Sequence, residues 1–318
     1  MEYRRLGNSG VSVSVIGLGG NTFGRYCDAR QTEAIIHRAL ELGINHIDTA
    51  DTYSRGLSEE YIGKAIAGRR DQVVLATKTG FPLDEGPNGQ GLSRRRIIAS
   101  LEASLRRLGT DYVDLFYLHR PDPQTPIEES LRALDDLVRA GKVRYPAVSN
   151  YAAWQVVDIM GRCERRGYAP PVVSQSLYNV LERGIEQELI PACRCYGLGI
   201  IPYSPLAGGF LSGKYRPGEP VPPGVRGYDN PTWQQRWLTE RNFRILGALD
   251  VFATRRGRSV GELALAWLVA QPVVSSVIAG ATSPEQVESN ARAADWRLSS
   301  GELAELEQCL TAAAAQEG

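Results

Sequence analysis

Short apolar stretches and longer amphipathic ones alternate along this chain with a regular beat, and that alternation most limits what it can fold into. Residues 3–6 and 11–13 flank the turn signal Gly7-Asn8-Ser9-Gly10 and predict a small β-hairpin ahead of a first buried strand at 13–17. Helical periodicity over about 28–42 then gives way to strand 45–48, and helix 58–67 to strand 73–77. Helix 94–108, strand 112–118, helix 126–140, strand 145–149, helix 152–166, strand 172–176, helix 184–196 and strand 199–203 continue the order. Ser93 is placed to cap the helix that follows it, Pro126 suits the first turn of its helix, and Gly141 the position just past that helix's end. A Gly/Pro-rich segment at about 205–231 breaks the beat, after which helices 241–256 and 259–270, strand 274–278, and helices 284–293 and 300–315 complete the chain. Eight strands, nearly all followed by a helix and with no change of composition between them, predict one α/β domain over residues 1–318, a closed (β/α)8 TIM barrel. An open parallel sheet is the competing arrangement. The 318 residues, 43% hydrophobic, are enough for one core of that size.

A barrel places its chemistry at the C-terminal ends of its strands, and three strands here end in an unusual way. Residues 44–53 read I-N-H-I-D-T-A-D-T-Y, so an apolar strand runs into Asp48, Thr49, Asp51, Thr52 and Tyr53. Residues 73–78 end in Lys78, and residues 113–119 end in His119. Taken singly, each is a capped strand, a structural Lys–Asp pair or a satisfied polar residue. Together they read as one site at one rim.

The chemistry that these four side chains suit is proton donation to a carbonyl. A free tyrosine titrates near about 10 and is a weak general acid near neutrality. A lysine ammonium within hydrogen-bonding reach favours the phenolate, and a carboxylate on its far side keeps the ammonium charged and oriented. A histidine opposite can donate to the carbonyl oxygen and fix its direction. The glycines at 17–24, G-L-G-G-N-T-F-G, lack the G-x-G-x-x-G spacing, so the dinucleotide fingerprint of a doubly wound fold is absent there.

These residues carry a resemblance that covers nearly all of the chain. G-I-N-H-I-D-T-A-D-T-Y at 43–53, S-E-E-Y-I-G-K-A at 58–65, A-T-K at 76–78 and D-Y-V-D-L-F-Y-L-H at 111–119 resemble the aldo-keto reductases. So do V-S-N at 148–150, Y-S-P-L-A-G-G at 203–209 and G-A-T-S-P-E-Q at 280–286. The resemblance implies Tyr53 as general acid, Lys78 and Asp48 as its tuning pair, and His119 as the residue that orients the carbonyl. It implies NADPH as hydride donor, with NADH open to it as well, bound across the barrel mouth without a Rossmann fold. Gly20, Asn21, Thr22 and Asp48 fall at cofactor-contact positions. Ser149, Asn150 and Gln175 match the residues that hold the nicotinamide carboxamide, and Tyr203 the aromatic that stacks on its ring. Ser204, Pro205, Leu206 and Gly208 match the loop over the pyrophosphate, and Lys214 and Arg226 the cations at the adenosine phosphates. Gly280, Thr282, Gln286 and Asn290 match contacts at the start of the last barrel helix, where a helix N-terminus favours an anion.

Two departures stand out. Ser289 occupies a position where related reductases often carry a glutamate facing the adenine. Thr22 stands where relatives often have a tryptophan at the pocket mouth, which implies a more open pocket. Thr22, Phe23, Tyr26, Phe81, Arg120 and Trp233 are expected to line it, and their apolar weight suits a small to medium aldehyde or ketone; Arg25 and Arg120 could meet an anionic group. The chain also resembles the branch of the family that includes potassium-channel β subunits, so a redox-sensing regulatory subunit is the alternative reading. A Schiff-base lyase using Lys78 is a third.

Composition limits the partners. With 36 basic and 36 acidic residues there is no global field to favour nucleic acid or an anionic membrane. No apolar run approaches the roughly 20 residues that cross a bilayer, and the opening M-E-Y-R-R-L has no stretch of signal-peptide type. Five cysteines, an odd number, suit a reducing compartment; Cys193 and Cys195 read as helix-packing residues, and no metal site is expected. The expectation is a cytoplasmic protein acting on a small molecule, with its oligomeric state not legible.

Overall fold

Strands β1 (Tyr3–Arg5) and β2 (Ser12–Ser14) form an antiparallel hairpin, and eight further strands pair in parallel. These are β3 (Ile16–Gly19), β4 (His46–Asp48), β5 (Val74–Thr79), β6 (Val113–Leu118), β7 (Val143–Ser149), β8 (Val173–Leu177), β9 (Gly199–Tyr203) and β10 (Val277–Gly280), in the order β10-β3-β4-β5-β6-β7-β8-β9. The computed structural model describes residues 1–225 and 227–315; Arg226, expected at an adenosine phosphate, lies outside the described residues. Closure runs through Ile200, whose N–H donates to Val273 O at 2.8 Å and whose carbonyl accepts from Ser275 N at 2.9 Å. The sheet is therefore a (β/α)8 barrel rather than an open sheet.

Helices α1 (Ala29–Glu41), α2 (Leu57–Ala65), α3 (Arg94–Leu108), α4 (Ile127–Arg139), α5 (Ala153–Arg166) and α6 (Leu189–Tyr196) follow β3 to β8 in turn. After β9 come α7 (Pro231–Trp237), α8 (Glu240–Thr254) and α9 (Val260–Val269), and after β10 come α10 (Pro284–Arg292) and α11 (Ser300–Ala315). Several of these helices start at a side-chain cap. Asp28 and Gln31 form a capping box at α1, Ser93 accepts from Arg96 N at α3, and Ser259 and Glu262 form a capping box at α9. The inward stripe of α4 buries Leu131, Leu134 and Leu137, each contributing roughly 1.5–3 kcal/mol of transfer free energy.

Inside the barrel, Ala76, Leu115, Tyr117, Ala147, Val173, Ile201 and Ile278 pack in one cluster with Leu6 and Val13 of the hairpin. The hairpin thus closes the N-terminal end and leaves the opposite rim for loops.

Four local details differ from the sequence expectation. Helix 184–196 is split into a 3-10 turn at Gly184–Glu186 and α6, because Pro191 has no N–H for the preceding turn and must lie near a helix start. Pro126 is the N-cap of α4 rather than within its first turn. The last barrel strand starts at Val277, where pairing with β3 begins. Helix α7 stands between the Gly/Pro-rich region and the next expected helix; its signal was the pair Asn230-Pro231, with Asn230 Oδ1 accepting from Trp233 N and Pro231 in the first turn.

Candidate active site

Register brings the polar strand ends to one level. Asp48 lies opposite Ala76, and Lys78 opposite Tyr117, at the C-terminal ends of β4, β5 and β6. Lys78 is fully buried and Asp48 is 3% exposed. The ammonium donates to Asp48 Oδ1 and, at 2.7 Å, to Thr49 O, while Asp48 Oδ2 accepts from Gln175 Nε2 at 2.9 Å. Burial opposes charge on Lys78, but the charges of and hydrogen bonds to Asp48 and Tyr53 outweigh it, and the pKa is raised above the ordinary lysine value. The ammonium stays charged inside the barrel.

Tyr53 opens a tight turn, Tyr53–Gly56, in which Ser54 and Arg55 both take left-handed backbone at φ 49° and 55°. Non-glycine residues there are strained by about 1–3 kcal/mol each. Ser54 Oγ offsets part of that strain by donating to Phe23 O at 2.8 Å, which ties this loop to the one after β3. The turn sets the Tyr53 ring over the ammonium, with Lys78 Nζ 5.1 Å from the ring centre. The His119 ring stands edge-on to it at 6.1 Å between centroids and 71°.

His119 is a neutral imidazole. Burial first, then the charges of Lys78 and Arg120, pull its pKa down to about 2. Its Nδ1 is buried without a partner. A bare acceptor is less costly to bury than a bare donor, which assigns the proton to Nε2. Phe81 packs edge-on against the ring at 4.6 Å, and Asn150 Nδ2 donates to His119 O at 3.0 Å. Tyr203 Oη in turn donates to Asn150 Oδ1 at 2.8 Å. Asn150, Tyr203 and His119 are thus linked across three strand ends, and Asn150 holds its place with a left-handed φ of 64°.

The residues expected around a dinucleotide line the same rim. Ser204, Ala207, Gly208 and Gly209 all take positive φ, so backbone amides crowd this loop. A Cβ added at Gly208 would meet Trp233 Nε1 at 2.4 Å, and one at Gly209 would lie 3.7 Å from Lys214 Nζ. Glycine is required at the first and leaves an opening beside a lysine at the second. Trp233 Nε1 is buried without a partner. At α10 the side chain of Ser283 does not cap the helix, and Gln286 Oε1 instead accepts from Thr282 N at 2.9 Å and Thr282 Oγ1 at 3.2 Å. Asn290 Nδ2 donates to Gly280 O at 3.4 Å, and Thr22 Oγ1 to Ala281 O at 2.9 Å, beside Gly20 and Asn21. Ser149 is buried next to Asn150, and Pro205 and Leu206 lead into the glycine turn. A strained amide-rich loop, a lysine beside it and an uncapped helix end fit an extended molecule carrying phosphates.

Two residues expected on the pocket wall lie elsewhere. Phe23 is fully buried in the core, and Trp233 is wedged beneath the glycine turn between Gly208 and Gly227. Two supporting groups had no role in the sequence reading. Asn179 Nδ2 donates to Ser204 O at 3.0 Å while its Oδ1 accepts from Leu181 N and Glu182 N, and so clamps the glycine turn. Asp51 is fully buried, accepts from Ser100 Oγ at 2.7 Å and faces Arg96 at 3.6 Å. Its burial pushes the pKa up to about 6 against the lowering effects of Ser100, Arg96 and Thr79. Asp51 was visible as a carboxylate where a strand should be apolar; its partner Arg96 carried no signal, since charged residues are ordinary near a helix start.

A parallel barrel whose rim holds a buried, charged lysine under a tyrosine beside a neutral histidine belongs to the class of barrel enzymes that work at their strand ends. The Aldo/keto reductase family model matches residues 15–311, and the chain belongs to that family. It is 36% identical over 322 residues to an L-glyceraldehyde 3-phosphate reductase of Escherichia coli K12, covering 97% of this chain and 92% of the relative. It is 38% identical over 304 residues to a probable voltage-gated potassium channel subunit beta of Oryza sativa subsp. japonica, covering 93% and 92%. An aldo-keto reductase of Bacillus subtilis, YhdN, is 37% identical over 309 residues, covering 94% and 91%. The chain is an oxidoreductase of a family that uses nicotinamide cofactors. No helix among the described residues is long and apolar enough to cross a membrane.

Proposed function

We propose that this protein is an NADPH-dependent carbonyl reductase in which Tyr53 is the general acid. The observation that carries the proposal is the buried Lys78 ammonium, held by Asp48 and set beneath the Tyr53 ring. A fixed positive charge there favours the phenolate, so the phenolic proton leaves Tyr53 Oη more readily than in water. His119 Nε2–H donates to the substrate carbonyl oxygen; because this imidazole stays neutral, it orients the carbonyl and leaves proton transfer to Tyr53. The reduced nicotinamide, when bound, supplies the hydride. Ser149, Asn150, Gln175 and Tyr203 would hold its carboxamide and ring, residues 204–208 with Lys214 its phosphates, and Thr282, Gln286 and Asn290 its adenosine end, with Arg226 favouring a 2′-phosphate over NADH. The name of the bacterial relative, a reductase of a small aldehyde, agrees with this reading.

Tyr53→Phe tests it. Turnover of an aldehyde panel should fall by about 10²-fold or more, while the quench of protein fluorescence on titration with NADPH is kept. Near-wild-type turnover would sink the assignment. The likeness to a potassium-channel subunit beta favours a second reading, a redox-sensing regulatory subunit. Tight NADPH binding without turnover of any carbonyl would select it.

A further inference from the structure

Arg120 follows His119 directly and lies beside the site. Its guanidinium lies 4.5 Å from the centre of the Phe81 ring, and Phe81 is packed edge-on against His119. The charge is close enough to His119 to help depress its pKa. Among the described residues, no carboxylate lies within ion-pairing distance of Arg120 and no hydrogen-bond acceptor engages it. Two acids on the segments that carry Phe81 and Arg120 are committed elsewhere. Asp84 pairs with Arg96, and Asp122 accepts from Leu92 N, Gln124 N and Thr125 Oγ1. Arg70, Arg96, Arg107 and Arg183, by contrast, each pair with a carboxylate.

A guanidinium held over an aromatic ring loses less freedom when it binds than a free one, and its fork matches a carboxylate or a phosphate with two parallel hydrogen bonds. Arg55 and Arg25, on the two rim loops joined by the Ser54–Phe23 hydrogen bond, are exposed and also lack a carboxylate partner among the described residues. They add positive potential on the Tyr53 side of the rim.

We propose that Arg120 is the specificity-determining residue for a carbonyl substrate bearing a carboxylate or phosphate, bound with that anion on the guanidinium and its carbonyl at His119 and Tyr53. This rests on the reductase reading above.

The test compares kcat/KM for two matched pairs with NADPH: glyceraldehyde 3-phosphate against glyceraldehyde, and succinic semialdehyde against butanal. The wild-type protein should favour the anionic member of at least one pair by about tenfold or more. A preference confined to one pair supports the proposal and identifies the anion. In Arg120→Gln the ratio should collapse toward one, and Arg120→Lys should keep part of it, as a point charge without the planar fork. Added salt should raise KM for the anionic aldehyde in the wild type and leave the neutral one unchanged, a readout that stands even where a variant folds poorly. A wild-type ratio near one overturns the proposal, with the reductase reading intact if the neutral aldehydes are reduced. A ratio that survives Arg120→Gln also overturns it. Failure to reduce any of the four overturns both.

Discussion

Gln175 Nε2 donates to Asp48 Oδ2 at 2.9 Å, joining β8 to β4 through the interior of the barrel. The bond fixes the second oxygen of a carboxylate whose first oxygen holds Lys78. Replacing it by a side chain of similar size without donors, Gln175→Leu, should leave Asp48 Oδ2 buried and bare. A lost hydrogen bond to a charged group is worth about 1.5–3 kcal/mol. Urea denaturation should show a loss of that order, and kcat/KM for aldehydes should fall by about tenfold as the pair loosens. Unchanged stability and kcat/KM would mean that the bond positions nothing.

The Lys78–Asp48 pair separates stability from chemistry. Lys78→Met leaves a carboxylate buried without its cation, and Asp48→Leu leaves a buried ammonium. Either single change should cost about 3–5 kcal/mol. The double variant leaves no buried charge, so it should regain part of that loss while remaining inactive. Denaturation midpoints and turnover of the four proteins check this double-mutant cycle. Additive losses in stability would contradict the buried-pair account.

The sequence disclosed these residues unevenly, for a physical reason. An ionisable residue at the end of an apolar strand breaks the apolar run, so Asp48, Lys78 and His119 were visible as exceptions before any fold was known. Gln175 and Asp48 are 127 residues apart, and only the parallel register across the closed barrel brings them together. The strained turn at Ser54 and Arg55 was silent because neither residue type signals positive φ. Helix α7 was obscured by the glycines and prolines before it. The tryptophan it carries, Trp233, is placed by the space that Gly208 and Gly227 leave, which no local pattern records.

Gly63 marks a close approach between α2 and the end of α3. A Cβ built there would meet Leu108 O at 2.5 Å and Leu108 Cα at 2.8 Å, both backbone atoms that cannot swing aside. Helix propensity favours alanine over glycine by about 1 kcal/mol in a helix interior. The clash should win, because overpacking against fixed backbone costs about 1–3 kcal/mol. Gly63→Ala should therefore lower the urea midpoint. A variant more stable than the parent would show that the two helices can move apart freely.

Acid should destabilise the fold through two histidines. Burial lowers the pKa of His46 to about 4, and burial with Lys78 and Arg120 lowers that of His119 to about 2, from the ordinary 6.5. Below pH 6.5 the unfolded chain takes up two protons that the folded chain refuses, so stability falls as pH falls. Asp51 works in the opposite sense. Its pKa is raised from 3.8 to about 6, so the folded state binds the extra proton in that window and stability is gained on acidification. Carboxylates held below their ordinary values, such as Asp122 and Glu262, act only below about pH 4.5. Between pH 6 and 5 the two histidines less Asp51 leave about one proton, or roughly 1.4 kcal/mol lost per pH unit. His46→Asn, whose amide can keep a hydrogen bond to Ser276 Oγ, removes one histidine from that balance. Its unfolding free energy should be nearly flat over the same interval. A slope as steep as the parent's would show that His46 is already protonated in the folded protein, against its burial.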